Sequence, residues 1–120
     1  MVTAAVWHNG TLRMLSTPKD VVAQNGQNVV IDCTVEGMTN NDQLIWWYRG
    51  SSTGNDVKIF DSLTNDGRWA INGSSKIEKY NIIGQFNLIL KSVAAEDAGY
   101  YSCHVLGLGN YTAVLTVFGE

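Results

Sequence analysis

The stretch Asp97-Ala98-Gly99-Tyr100-Tyr101-Ser102-Cys103 runs on into His104-Val105 and alternates strictly: Tyr101, Cys103 and Val105 share one face, and Tyr100, Ser102 and His104 the other. A period of two is the signature of a strand with one buried side. Just upstream, Ala94, Ala95, Glu96 and Asp97 give the one place, within Ser92 to Ala98, where a short turn of helix reads well. Downstream, Leu106-Gly107-Leu108-Gly109-Asn110 reads as a tight hairpin loop, because Gly and Asn tolerate the positive φ such turns need. The next strand then places Ala113, Leu115 and Val117 inward and Val114 and Thr116 outward.

Further from this stretch the same pattern repeats. Asn28 to Val35 places Val29, Ile31, Cys33 and Val35 on one face. Gln43 to Arg49 is apolar on both faces; Ile45 and Trp47 are assigned inward here, and Leu44, Trp46 and Tyr48 outward. Val57 to Asp61, Trp69 to Asn72 and Gln85 to Lys91 continue the series, the last with Phe86, Leu88 and Leu90 together. Asn25-Gly26, Asn65-Asp66-Gly67 and Asn72-Gly73 are turn signals, and Pro18 fits an edge strand or a kink. Regular strands with a turn about every ten residues predict an all-β sandwich or barrel.

A chain of 120 residues matches one domain of ordinary size. Its core is expected at about residues 14–118, with 1–13 as an N-terminal extension. Only 16% of residues are charged, while 11 Asn and 17 Ser and Thr supply an uncharged polar surface. The net charge of −3 offers no basic field for a phosphate backbone, which argues against nucleic acid. The longest apolar run, Leu44 to Tyr48, is far short of the ~20 residues of a membrane helix, so no membrane contact by this segment itself is expected. Met1 precedes Val-Thr-Ala-Ala-Val with neither a basic nor a long apolar region, and reads as a start placed on a mature segment. Cys33 and Cys103 suit either two buried thiols or one disulfide; the scarcity of charge favours an oxidising, extracellular compartment. Inward-facing Cys33 and Cys103 would meet across a sandwich about 10 Å thick. A bond there would close a loop of 70 residues and stabilise the fold by about 4 kcal/mol. Trp47, on the next strand, is expected to pack over the sulfurs.

The run from Asp97 to Cys103 resembles the Asp-x-Gly/Ala-x-Tyr-x-Cys signature of the immunoglobulin superfamily. Gly26-x-x-Val29-x-Ile31-x-Cys33, Trp47-Tyr48 and Leu88-x-Leu90-x-x-Val93 join it in the family's order, so that the likeness extends from about Pro18 to Val117. The resemblance implies a Greek-key β-sandwich with one inter-sheet disulfide, a tyrosine corner at Tyr101, and a pairing of Arg68 with Asp97. The 56 residues from Trp47 to Cys103 leave room for two extra strands, Val57 to Asp61 and a short piece near Ser62 to Thr64, which favours the variable-type set. The chain departs from the Phe-Gly-x-Gly motif of antigen-receptor variable domains: Gly107 and Gly109 fall inside the loop, and Phe118-Gly119 follows the strand. Arg68 to Gly73, Gln85 to Leu90 and Glu96 to Val105 are similar to the first domains of nephrin-like and Kirre-like adhesion receptors. They are nearly as similar to variable-type receptors of invertebrates and primitive chordates.

Catalysis finds little support. His8 and His104 have no acidic residue at a metal-ligand spacing, so no metal or cofactor is expected. Ser102, Cys103 and His104 point to alternate sides of a strand. A binding module fits better. The outward face is expected to gather Trp46, Tyr48, Tyr100 and His104, with Leu106 and Leu108 at the loop tip, as a contact for a protein ligand or an identical domain. The blander reading covers Trp46 with the Leu106 to Asn110 loop and tucks Tyr48 beneath Val57 to Asp61. His104 inside a contact would weaken binding as it protonates near pH 6. The alternative is a lectin-like domain that holds a glycan with its end loops. Asn9, Asn72 and Asn110 each open an Asn-x-Ser/Thr glycosylation triplet.

Overall fold

Strand alternation decides which side chains meet in the core. In the computed structural model, which describes residues 12–51, 54–63 and 79–119, Tyr101, Cys103 and Val105 are buried, and Tyr100 and His104 are exposed. Ten strands lie among the described residues. They are β1 (Arg13–Ser16), β2 (Val21–Gln24), β3 (Val29–Ile31), β4 (Thr34–Glu36), β5 (Leu44–Gly50), β6 (Asp56–Asp61), β7 (Tyr80–Ile83), β8 (Asn87–Leu90), β9 (Gly99–Val105) and β10 (Gly109–Phe118). One sheet has the order β2-β10-β9-β5-β6; the facing layer consists of β3-β8-β7 and the pair β1-β4. Cys33 and Cys103 form a disulfide between the layers with their Cα atoms 6.5 Å apart. Around it the inward residues of both layers form one core.

Local chemistry explains the breaks between strands. The chain kinks in the segment holding Pro18, so that β1 pairs antiparallel with β4 in one layer and β2 pairs parallel with β10 in the other. The expected strand from Asn28 to Val35 divides at Asp32 and Cys33, where the Asn87 side-chain oxygen accepts the Cys33 N–H (2.7 Å) in place of a ladder partner. Gln85 and Phe86 belong to a turn, so the strand expected from Gln85 begins at Asn87. Its antiparallel neighbour, β7, has no counterpart in the sequence reading; Tyr80 is buried there, but the run is only four residues long. Ser62 and Leu63 are a turn rather than the extra strand expected there, and Thr64 lies outside the described residues. So do Arg68, the strand from Trp69 to Asn72 and the turns at Asn65 and Asn72.

The correction with the widest effect concerns β5. Leu44 and Trp46 are fully buried, and Tyr48 packs against the same core, whereas Trp47 turns outward. Period two cannot choose the phase of a strand that is apolar on both sides. Pairing chooses it: residues directly opposite in an antiparallel ladder share a face, and Trp46 lies opposite Cys103. The buried indole donates its N–H to the Phe86 carbonyl at 2.7 Å, which satisfies the one polar group it carries inward.

The short helix appears as a 3-10 turn, Ala95–Asp97, and it anchors the base of the sandwich. Tyr101 donates its hydroxyl to the Asp97 carbonyl at 2.6 Å, the bond a tyrosine corner requires. The buried Asp97 carboxylate accepts the Ala94 N–H and the Lys79 ammonium, each at 2.8 Å. Lys79 is thus the described cation on Asp97, and Arg68, expected in that role, lies outside the described residues. Gly99 is required by space as well as by its φ of +149°: a Cβ there would stand 2.5 Å from the Arg49 carbonyl oxygen. Tyr48 packs on Tyr101 with ring centroids 4.9 Å apart, and its hydroxyl reaches the carbonyls of Glu96 (2.9 Å) and Ala98 (3.1 Å).

Two tests follow from this corner. Gly99→Ala is expected to destabilise the fold by about 2 kcal/mol or more, read from its urea midpoint, through strain and the backbone clash. Burial above all raises the hydroxyl pKa of Tyr80 and Tyr101, assisted by the Asp97 charge. Both remain protonated in the fold where an unfolded tyrosine ionises, near pH 10. Their stabilisation is therefore complete below pH 10 and is lost as pH rises above it, by about 1.4 kcal/mol per pH unit for each. Urea unfolding between about pH 9 and 11 checks this, and a flat profile would show that these hydroxyls ionise freely.

Candidate functional site

Inward placement of Trp46 changes what the larger sheet presents outside. The ladders align its outward residues in rows across β5, β9 and β10: Ile45, His104 and Asn110; then Trp47, Ser102 and Thr112; then Arg49, Tyr100 and Val114. At the β6 edge Lys58 stands opposite Trp47 and Asp56 opposite Arg49. A one-residue change of phase exchanges the two faces of a strand. Trp46 and Tyr48, expected as contact residues, therefore belong to the core; Trp47, expected over the sulfurs, belongs to the surface. The signal that settles this was available in the unambiguous alternation of β9, once β5 is laid against it.

Among the described residues, two hollows open on this face. Trp47, Tyr100, Ser102, Thr112 and Asn110 surround a shallow depression of about 180 Å³, closed at the β6 side by Arg49 and Asp56. Arg49 lies over the Tyr100 ring, 4.8 Å from its centroid, within the range of a cation–π contact. Ser102 and Thr112 join their hydroxyls at 2.8 Å and so form a polar floor. Nearer the loops, Gln43, Ile45, His104 and Leu106 line a niche of about 40 Å³.

Among the described residues of β5, β6, β9 and β10, the outward charges of this face come in opposite pairs: Lys58 lies 3.3 Å from the Asp61 carboxylate, and Arg49 stands opposite Asp56. Burial pushes the Asp61 pKa up, but hydrogen bonds from Gln43, the Leu63 N–H and Lys58, with the Lys58 charge, outweigh it and hold the carboxyl below its ordinary value. Asp61 therefore stays ionised and fixes both Gln43 and Lys58 at the rim. At the loop tip Leu106 is 60% exposed, whereas Leu108, expected beside it, is half-buried against the core. The structure thus brings together Tyr100, His104 and Leu106 of the expected contact residues. It adds Ile45, Trp47 and Arg49, which the chosen phase of β5 had concealed.

A different cavity, of about 430 Å³, opens at the loop end of the sandwich. Phe60 and Phe86, with ring centroids 6.4 Å apart, form its floor, and Thr39, Asn40, Asp42 and Gln85 contribute polar walls. Among the described residues, no group of three or more His, Cys, Asp or Glu could hold a metal ion.

The family model of the immunoglobulin V-set domain matches residues 16–117. Among curated proteins the chain is similar to the human netrin receptor DCC, with 27% identity over 94 residues that cover 78% of this chain; it spans 5% of that relative's length. Among solved structures, the RIG-5 IG1 homodimer superposes with a TM-score of 0.68 at 18% identity, covering 91% of this chain and 99% of that one. Dpr1 IG1 bound to DIP-eta IG1 gives 0.65 at 14% identity, with 89% and 95% covered. At such identities these two structures show a common fold.

The two tryptophans of β5 provide the direct test of the phase. Trp46→Ala is expected to cost about 3 to 5 kcal/mol, as a large core truncation. Trp47→Ala is expected to cost about 1 kcal/mol or less. Urea denaturation of the two variants compares them, and equal losses would contradict the outward placement of Trp47.

Proposed function

Because the chain belongs to the immunoglobulin V-set family, we propose that it is a non-catalytic protein-binding module of an extracellular or cell-surface receptor. Its contact surface is the outer face of the five-stranded sheet. One observation carries this reading: Ile45, Trp47, Tyr100, His104 and Leu106 lie on one face whose few charges cancel. A half-buried tryptophan beside an arginine-capped tyrosine has the composition of a binding hot spot. Neutrality allows a second copy to approach without repulsion, and a two-fold contact needs only one self-complementary patch. The RIG-5 IG1 homodimer and the Dpr1–DIP-eta pair are consistent with either an identical or a different immunoglobulin domain as partner. The disulfide and the likeness to a netrin receptor support an extracellular setting. Among the described residues no helix is long and apolar enough to cross a membrane.

A second reading, glycan binding at the loop end, is favoured by the aromatic floor and polar walls of the cavity at Phe60 and Phe86. A glycan array with no hits would retire it.

Sedimentation velocity of unglycosylated protein at high micromolar concentration tests the homophilic form. The wild type is expected to dimerise, and Trp47→Ala and Tyr100→Ala to weaken the dimer by about tenfold or more. A monomeric wild type would remove the homodimer and leave a heterophilic partner to be sought among receptor ectodomains. A partner whose affinity ignores both substitutions would remove this face altogether.

A further inference from the structure

Of the three glycosylation triplets, those at Asn9 and Asn72 begin outside the described residues, and the third falls on the outer face itself. Asn110 sits near the start of β10, directly opposite His104, with its side chain exposed. No hydrogen bond of the described structure uses its amide. Thr112 supplies the hydroxyl the triplet requires and is exposed two residues along the same face. Asn110 and Trp47 line the same depression, so a substituent on one overhangs the other.

We propose that Asn110 is an N-linked glycan attachment site whose sugar roofs the hollow between Trp47 and Tyr100, so that the glycan and a protein partner compete for this face. Attachment takes a lipid-pyrophosphate-linked oligosaccharide as donor. The Asn110 amide nitrogen forms a bond to the anomeric carbon, and the bond from that carbon to the pyrophosphate oxygen breaks. The lipid pyrophosphate leaves with the electron pair, and the amide proton passes to a base of the transferase. Nothing in the fold opposes the product, because the side chain projects into solvent and a bulky polar chain there displaces no core contact. The glycan occupies the space a face-to-face partner needs: adjacent strands are about 5 Å apart, which places Asn110 on β10 about 10 Å across the sheet from β5 and Trp47. Occupancy of Asn110 therefore divides the protein into a form with a covered face and a form with an open one. The competition rests on the protein-binding reading above; attachment and roofing do not.

The test uses protein secreted from a mammalian host, as wild type, Asn110→Gln, Thr112→Ala and Thr112→Ser. Peptide mass spectrometry is expected to find glycan on Asn110 in the wild type and in Thr112→Ser, and none in the other two. An unmodified Asn110 in the secreted wild type overturns the site. Hydroxyl-radical footprinting of the wild type before and after enzymatic removal of the glycan then reads the roof. Trp47 and Tyr100 are expected to label at least about twofold less with the glycan in place, while Val30, on the opposite layer, labels equally in both. Equal labelling of Trp47 and Tyr100 overturns the roof. Both measurements need no partner, so a face that binds nothing fails in sedimentation alone.

Discussion

Trp46 lies opposite Cys103, and the character of both faces of the larger sheet depends on that pairing. β9 has no freedom of phase, since Cys103 must reach Cys33 in the other layer and its neighbours alternate cleanly between apolar and polar. β5 has every freedom, with five apolar or aromatic residues in succession, until it is hydrogen-bonded to β9. The ladder then places Leu44, Trp46 and Tyr48 inside with Val105, Cys103 and Tyr101, and leaves Ile45, Trp47 and Arg49 to solvent. Core packing and the composition of the outer face are two consequences of one register.

The base of the sandwich serves a different end, the closure of polar groups that must be buried. Asp97 combines three tasks in one residue: its carbonyl takes the Tyr101 hydroxyl, its carboxylate the Ala94 N–H, and the same carboxylate the Lys79 ammonium. A buried carboxylate without these partners would cost several kcal/mol. Gly99 completes the arrangement by allowing β9 to approach the Arg49 carbonyl more closely than any side chain permits. Asp97, Gly99 and Tyr101, three residues of the family signature, thus solve this local satisfaction problem, and they do so in the interior and not on the outer face of the larger sheet.

That surface has an uncommon balance. Its aromatic and aliphatic groups are large enough to favour burial, yet Arg49 over Tyr100 and the hydroxyl pair of Ser102 and Thr112 keep it compatible with water while it is open. The same face carries Asn110, which lines the hollow with Trp47 and Tyr100 and adds to its polar walls.

Much of the fold was legible in the residues. The inward positions of Cys33 and Cys103, the turn at Ala95–Asp97, the loop at Leu106 and the outward positions of Tyr100 and His104 follow from alternation and turn chemistry, which are local, whereas the corner at Tyr101 was implied by the resemblance to the immunoglobulin superfamily. Strand β7 escaped because four residues are too few to establish a period, and the break at Cys33 escaped because the partner that replaces the ladder, Asn87, is 54 residues away. The phase of β5 could not be read from its own composition, because Leu44 to Tyr48 satisfies either side equally. By itself the sequence determined a two-layer sandwich crosslinked at one point. Only the tertiary structure decided which tryptophan holds that sandwich together and which turns to the outer face, because the choice rests on hydrogen bonds to a strand more than 50 residues further along the chain.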